Sequence, residues 1–542
     1  MTEVENYGTI TAAISDADTV AGNVLVTDST PTWYFWNEGI IDFLGKSITL
    51  KSQDMVPQHN ELPHVVFNGS ANAILEGFYI AGGNNPWGDP AEPYCVKANG
   101  NATVTVRNNE IYNCVNAGVR VDAGSTATVS NNLIHDNCRG VSTAGSANIT
   151  WNTIRDGMSG TMNCNNSGPG VVCFAGAPSV VITNNTITQF HTGNTTNGGG
   201  ISCVANTATI NGNNITSNEA RYGGGIYFRG SGTITGNTII GNTAWGTGVG
   251  ATGGGGGADI GGGVISFKNS NTVTNNITDG YGGGISAMVV GSTTTIGGAT
   301  LAEGNNISSN TAGYAGGGLC MRYDNTISNN TISNNTSTGQ IGGGGIMYYG
   351  GGYSLMSSNT LSGNVSTYAE NGGGGILFFD MSAGGGKIEK NIIINNNTAG
   401  WAGGGMSLIV GNSNPPAGHF VEVNNNTIAS NTSPRGGGIS VTNSSIPVCA
   451  GQNPIIDSNI IWDNTASVAG SGIWFDTFWA QCSVVRYSDV QGGLWTGTGN
   501  VSTNPLFTNP GAGNYYINAP ACINSGNQAF GAGTDMGAVP HP

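Results

Sequence analysis

The sequence predicts an all-β protein, a single-stranded parallel β-helix in which short strands wind into stacked coils. Three observations predict it: a recurring Asn followed by an aliphatic residue, glycine runs that lead into an apolar residue, and polar–apolar alternation between these marks. Units of this kind cover their apolar faces only against their neighbours, so they stack.

The Asn mark falls at Asn109, Asn132, Asn152, Asn185, Asn214, Asn237, Asn276, Asn306, Asn330, Asn359, Asn391, Asn426 and Asn459, with neighbouring anchors 20 to 39 residues apart. The glycine mark leads into Ile201, Ile226, Val264, Ile285, Leu319, Ile346, Ile376, Met406 and Ile439, and more loosely into Ile473. Alternation with period two between the marks is the signature of a strand. The stretch GGGIYFRGSGTITGNTIIGNTA reads as strand, turn, strand, Gly-Asn turn and strand, which sets three short strands per coil. With no helix between them, such strands suit a coil stacked about 4.8 Å above the last. Asn tolerates the left-handed angles of a tight turn, and stacked Asn amides can hydrogen-bond from coil to coil.

Solenoid ends need capping. Tyr7 to Val20 reads as a short amphipathic helix, followed by strands near VLVTD and KSITLKS. Residues 1–92 are thus expected to form an N-terminal cap and first coils, 93–482 the repeats, and 483–542, where the glycine runs stop, a closing segment.

Composition excludes several classes. With 92 glycines and only 8 % charged residues the chain could pass for disordered, but its regularly placed Ile, Val, Leu and aromatic residues contradict that. A balance of 30 acidic against 15 basic residues, a net charge of −15, argues against nucleic acid as a partner. No run of 18 apolar residues exists, so no membrane span is expected. Met1 leads directly into a polar segment, so no signal peptide is expected in this chain. Ten cysteines without a CxxC pair suit disulfides or buried thiols better than zinc. No metal or cofactor is expected, calcium being compatible with the sequence without being indicated by it.

The opening YGTITAAI…DTV…IDFLGKSITLKS resembles the N-terminus of bacterial pectate-lyase-like β-helix proteins. The GGGI and Asn marks also resemble polymorphic outer-membrane proteins, and RYSDVQGG…NPLFTNPGAGNYYINAPACINSGN…GTDMGAV is similar to a C-terminal segment of exported bacterial β-helix proteins. The resemblance implies a right-handed β-helix that is secreted or on the cell surface. It also implies a polysaccharide partner and one of three roles: glycoside hydrolase, non-catalytic adhesin or structural protein, or uronate lyase. A monomer is expected.

In enzymes of this fold the substrate lies across the first strand of each coil. If the residue after the glycine run points inward, the next points outward, and Cys173 stacks over Cys203 inside. The outward set then includes Lys97, Arg120, Asp122, Ser142, Phe174, Tyr227, Arg229, Ser286, Cys320, Arg322, Met347, Tyr349, Leu377, Phe379, Ser407, Ser440, Trp474 and Asp476. Tyr281, Tyr314 and Trp401 precede glycine runs and are expected beside this strip as sugar-stacking platforms. Substrate contacts are assigned to Tyr227, Arg229, Tyr281, Tyr314, Arg322, Tyr349, Phe379, Trp401 and Trp474. Hydrolysis needs paired carboxyls, for which Asp324, Glu370, Asp380 and Asp476 are the candidates, and is favoured over lyase chemistry. A lyase would instead use Lys97, Arg120 and Asp122, next to Arg139, with His135 and Arg155 on another face. Thr-x-Thr faces of the kind that bind ice are not expected to persist from coil to coil.

Overall fold

The computed structural model describes residues 7–16, 21–27, 39–53, 61–82, 94–157, 168–193, 195–246, 254–367, 372–380, 384–398, 400–410, 421–443, 454–476 and 483–539. They fall into two compact units, Met1–Thr238 and Ile239–Pro542. Each is built from parallel strands paired in register with the coil before and the coil after.

In the first unit the predicted helix forms over Ile10–Ser15, shorter than expected, with the Thr9 hydroxyl accepting the Ala12 N–H at 3.0 Å. Three parallel sheets follow. A first sheet runs from Ile41–Asp42 to Ile226–Arg229, a second from Ala21–Val26 to Ser231–Thr235, and a third from Glu61–Leu62 to Asn214–Thr216. The inward assignment holds: Val171 pairs with Ile201 and Ile201 with Ile226, all buried, and Cys173 lies over Cys203 as paired free thiols. Cys95 and Cys114 form a disulfide.

In the second unit the inward column runs Ile285, Leu319, Ile346, Ile376, Met406, Ile439 and Ile473, each pairing with the next and all buried. Each such side chain removed from water contributes about 1.5–3 kcal/mol. A fourth strand per coil, absent from the sequence expectation, spans Ile277–Thr278, Thr311–Ala312, Thr336–Ser337 and their successors. It follows a second buried Asn row, Asn276, Asn310, Asn335, Asn364, Asn396 and Asn431.

The Asn marks resolve into two jobs held by adjacent residues. In Asn131-Asn132 or Asn329-Asn330, the first takes left-handed angles (φ +56 and +59). The second turns inward, and its backbone N–H donates to the amide oxygen of the next coil's Asn at 3.0 Å. The ladder therefore passes through Asn213 and Asn305, and the anchors at Asn214 and Asn306 were one residue late: both lie on the outer face. Asn276 belongs to the second ladder. The glycine runs are explained at Gly316 and Gly317. Gly316 has φ +67, and a Cβ on Gly317 would sit 2.4 Å from the Gly344 carbonyl oxygen of the next coil.

The closing segment does more than end the solenoid. Asn425 Nδ2 donates to Asp535 O, and the Gly537 and Ala538 N–H groups donate to Ser458 O and Thr427 Oγ1. Tyr515 packs on Ile392, Ile394 and Ala429, so residues 505–539 fold back over the outside of the third sheet. That sheet turns apolar where it is covered: Thr360 and Ser362 pair with Ile392 and Ile394.

Candidate functional site

The first sheet of the second unit carries two outward columns. One holds Asp259, Ser286, Cys320, Met347, Leu377, Ser407, Ser440 and Trp474, aligned pair by pair through the register. The sequence expects these to face solvent, and most do not: Ser286, Cys320, Met347, Leu377 and Ser440 are fully buried. The reason is a second apolar cluster outside the coil, in which Tyr281, Ala315, Met288 and Ile409 close over Cys320, Met347 and Leu377. Its edge is formed by Tyr314, Ile341, Tyr349 and Phe379, which remain partly exposed.

This corrects the role expected of two rings. Tyr281 is buried and meets Tyr314 edge-on at 4.7 Å, so the pair roofs the strand and offers no sugar platform. Burial, with Tyr314 close by, pushes the Tyr281 hydroxyl pKa well above its ordinary value. The rings that do remain accessible lie further along the coils. Tyr349 and Phe379 stack at 5.3 Å with planes 19° apart, and the Arg322 guanidinium sits 5.2 Å from Tyr349 and 4.9 Å from Tyr323.

A second accessible group stands nearby in the chain's later coils. Trp401 is 48 % exposed, Trp474 approaches it edge-on at 6.4 Å, and the Arg435 guanidinium lies 4.0 Å over Trp401 and 5.7 Å from Trp474. Sequence reasoning missed Arg435. The signal was available: it precedes a glycine run just as Tyr281, Tyr314 and Trp401 precede theirs. Arginine stacked on indole keeps the ring's orientation and still presents its N–H fork to a ligand.

The carboxylates do not assemble into a pair. Asp324 is exposed, and its Oδ1 accepts the Tyr353 N–H at 2.8 Å, which anchors the following turn. Asp476 is half-buried just past the strand Ile473–Phe475, with its N–H donating to Val441 O at 3.0 Å. Glu370 and the Asp380 side chain lie outside the described residues.

In the first unit, Tyr227 carries Arg229 over its ring at 4.1 Å. Lys97 and Arg120 pair in register on adjacent strands, as expected. Arg120 donates to Asp122 at 2.7 Å and to Ser142 at 3.0 Å, and it lies 4.9 Å from the Phe174 ring. Tyr94 has Lys97 and Arg120 each 5.9 Å from its ring centroid. Arg139 donates to Asn116 Oδ1, and its stem runs beneath Gly168, where a Cβ would come within 2.4 Å of it. Burial lowers the Arg139 pKa, Tyr94 partly offsets this, and Arg120 lowers it further. His135 and Arg155 lie in the third sheet, the other face expected for them.

Among the described residues, no group of three or more His, Cys, Asp or Glu could hold a metal ion, and no helix is long and apolar enough to cross a membrane. A family model described as right handed beta helix region matches residues 21–172 and 262–449, together more than half of the chain. No curated protein matches the sequence.

Proposed function

Since this chain belongs to the right-handed β-helix family, we propose that it is a secreted or cell-surface protein that binds a polysaccharide on the outer face of its first sheet in the second unit. The observation that carries the reading is the pair of ring–guanidinium groups, Arg322 with Tyr349 and Phe379, and Arg435 with Trp401 and Trp474. An accessible ring stacks on the apolar face of a sugar while the neighbouring guanidinium donates to its hydroxyls. The rings stand on a buried scaffold, so little order has to be gained on binding. The Cys95–Cys114 disulfide supports an oxidising compartment outside the cytosol.

Recognition is the extent of this reading. Hydrolysis, favoured by the sequence, needs two carboxyls about 5–10 Å apart, and Asp324 commits one oxygen to the Tyr353 backbone. One observation favours a second reading, capture of an acidic sugar in the first unit. Arg139 has only the Asn116 amide as a hydrogen-bond partner among the described residues, beside Arg120, and such a guanidinium gains from a carboxylate ligand.

Affinity electrophoresis against neutral and uronate polysaccharides, with reducing-end and unsaturated-product assays on the same samples, tests both. Trp401→Ala and Tyr349→Ala should each weaken binding of a neutral glycan about tenfold, the loss of roughly 1.4 kcal/mol of stacking. Unchanged binding in both variants ends the proposal. Selective loss of uronate binding in Arg139→Gln would favour the second reading.

A further inference from the structure

We infer that the second sheet of the first unit carries an ice-binding face, a function separate from glycan recognition. Register alignment exposes what unequal loop lengths conceal in the sequence. Strands Thr126–Ser130, Ser146–Thr150, Val180–Thr183, Thr207–Asn211 and Ser231–Thr235 pair directly, each with the next. Their outward residues form three columns: Thr126 and Ser146, then Thr207 and Ser231; Thr128, Asn148, Val181, Thr209 and Thr233; and Ser130, Thr150, Thr183, Asn211 and Thr235. Of these fourteen positions, eight are Thr, three Ser, two Asn and one Val, and every one is half-buried or exposed. The expectation that Thr-x-Thr pairs do not persist is therefore wrong for this sheet.

Several features point to an ordered water lattice as the ligand. The columns repeat about every 4.8 Å from coil to coil and about every 6.7 Å along a strand, over about 19 Å. Ice presents its oxygens on planar grids with repeats close to these. A threonine offers both a methyl group, which orders water around itself, and a hydroxyl that joins the lattice. The hydroxyls are held in place: Thr183 Oγ1 donates to Thr150 Oγ1 at 3.0 Å, and Thr235 Oγ1 donates to Asn211 Oδ1 at 3.0 Å.

Absence of charge on these fourteen positions is a property of this stretch and not of the fold. The preceding coils of the same sheet put Lys51, Glu76 and Arg107 in the third column, with Arg107 bonded to Glu76 at 2.8 Å. In the second unit the corresponding sheet carries Lys387 with Glu389 at 2.7 Å and Arg486 with Asp457 at 2.6 Å. A charged side chain holds its own hydration shell and would break a flat water lattice. The five uncharged coils avoid that.

The test uses ice itself as the probe, with the full chain in a nanolitre osmometer and no glycan present. The intact protein should separate melting from freezing and shape growing crystals into facets. A Thr128→Lys/Thr209→Lys double variant, altered only at outward positions of the central column, should lose at least tenfold of that gap at equal concentration with its unfolding transition unchanged. Lys387→Gln, in the second unit, should leave it intact. Round, unfaceted crystals and no gap with the intact protein overturn the inference whether or not the double variant folds. So does a double variant that stays folded and fully active. Neither result bears on glycan binding, which involves other residues.

Discussion

Replacing Asn330 by alanine should be among the most damaging single changes available in this chain. Its side chain is buried, and the amide is used completely. Nδ2 donates to Ile296 O at 2.9 Å, Ser328 O at 3.0 Å and Asn359 Oδ1 at 3.0 Å. Its oxygen accepts from the Asn305 N–H at 3.0 Å and from Asn305 Nδ2 at 2.9 Å. Alanine leaves at least the Asn305 N–H and the Ile296 carbonyl buried without that partner. Each such orphan costs about 1–3 kcal/mol, so a loss of about 2–6 kcal/mol is expected, against about 1 kcal/mol for an average substitution. Guanidinium unfolding followed by circular dichroism would read this as a lower midpoint with an unchanged slope. Asn334→Gly is the internal control, since Asn334 is exposed at φ +55, an angle glycine adopts freely. It should cost less than about 0.5 kcal/mol. If Asn330→Ala costs under about 1 kcal/mol, the ladder does not bear the coil-to-coil stability assigned to it, and the argument fails.

Two further outcomes follow from the same packing. Gly317→Ala would place its methyl 2.4 Å from the Gly344 carbonyl oxygen and between Thr336 backbone atoms. A loss of about 2–4 kcal/mol, or an insoluble product, is expected, and a soluble variant with a native melting temperature would contradict the stacking. Asp489 is raised above the usual carboxylate pKa by burial, against the lowering bonds from the Thr503 N–H and the Cys522 thiol. A raised folded-state pKa gives a contribution that is present below the unfolded value of about 4 and lost as pH rises through the folded value. Asp489→Asn should therefore flatten that part of the stability–pH profile above about pH 4. A profile identical to that of the parent protein would show that Asp489 titrates normally.

The candidate site was legible only in part. Lys97 and Arg120 were placed on neighbouring coils correctly, because both lie at the same offset from an inward Val in consecutive repeats. Tyr281 and Tyr314 were misjudged because the composition of a loop does not reveal whether it folds down onto the strand it precedes. Here it does, since Cys320, Met347 and Leu377 give the rings an apolar surface to cover. Arg435 was passed over because only aromatic residues were sought before the glycine runs.

What the sequence determined by itself is the winding. Paired Asn residues at turns, glycine runs and inward aliphatics are local codes, each repeated within its own coil, and together they specify strands, turns and the interior columns. Tertiary structure alone decided which outer surfaces meet solvent. Column neighbours on the outside are separated by loops of unequal length, so a one-residue error, as at Asn214, hides a row of threonines or misplaces a ring. Coverage is more remote still: Tyr515 closes over Ile392 and Ile394 from a segment more than a hundred residues along the chain. No local pattern records so distant a contact. It forms because apolar surface left on the third sheet is removed from water by whichever part of the chain can reach it.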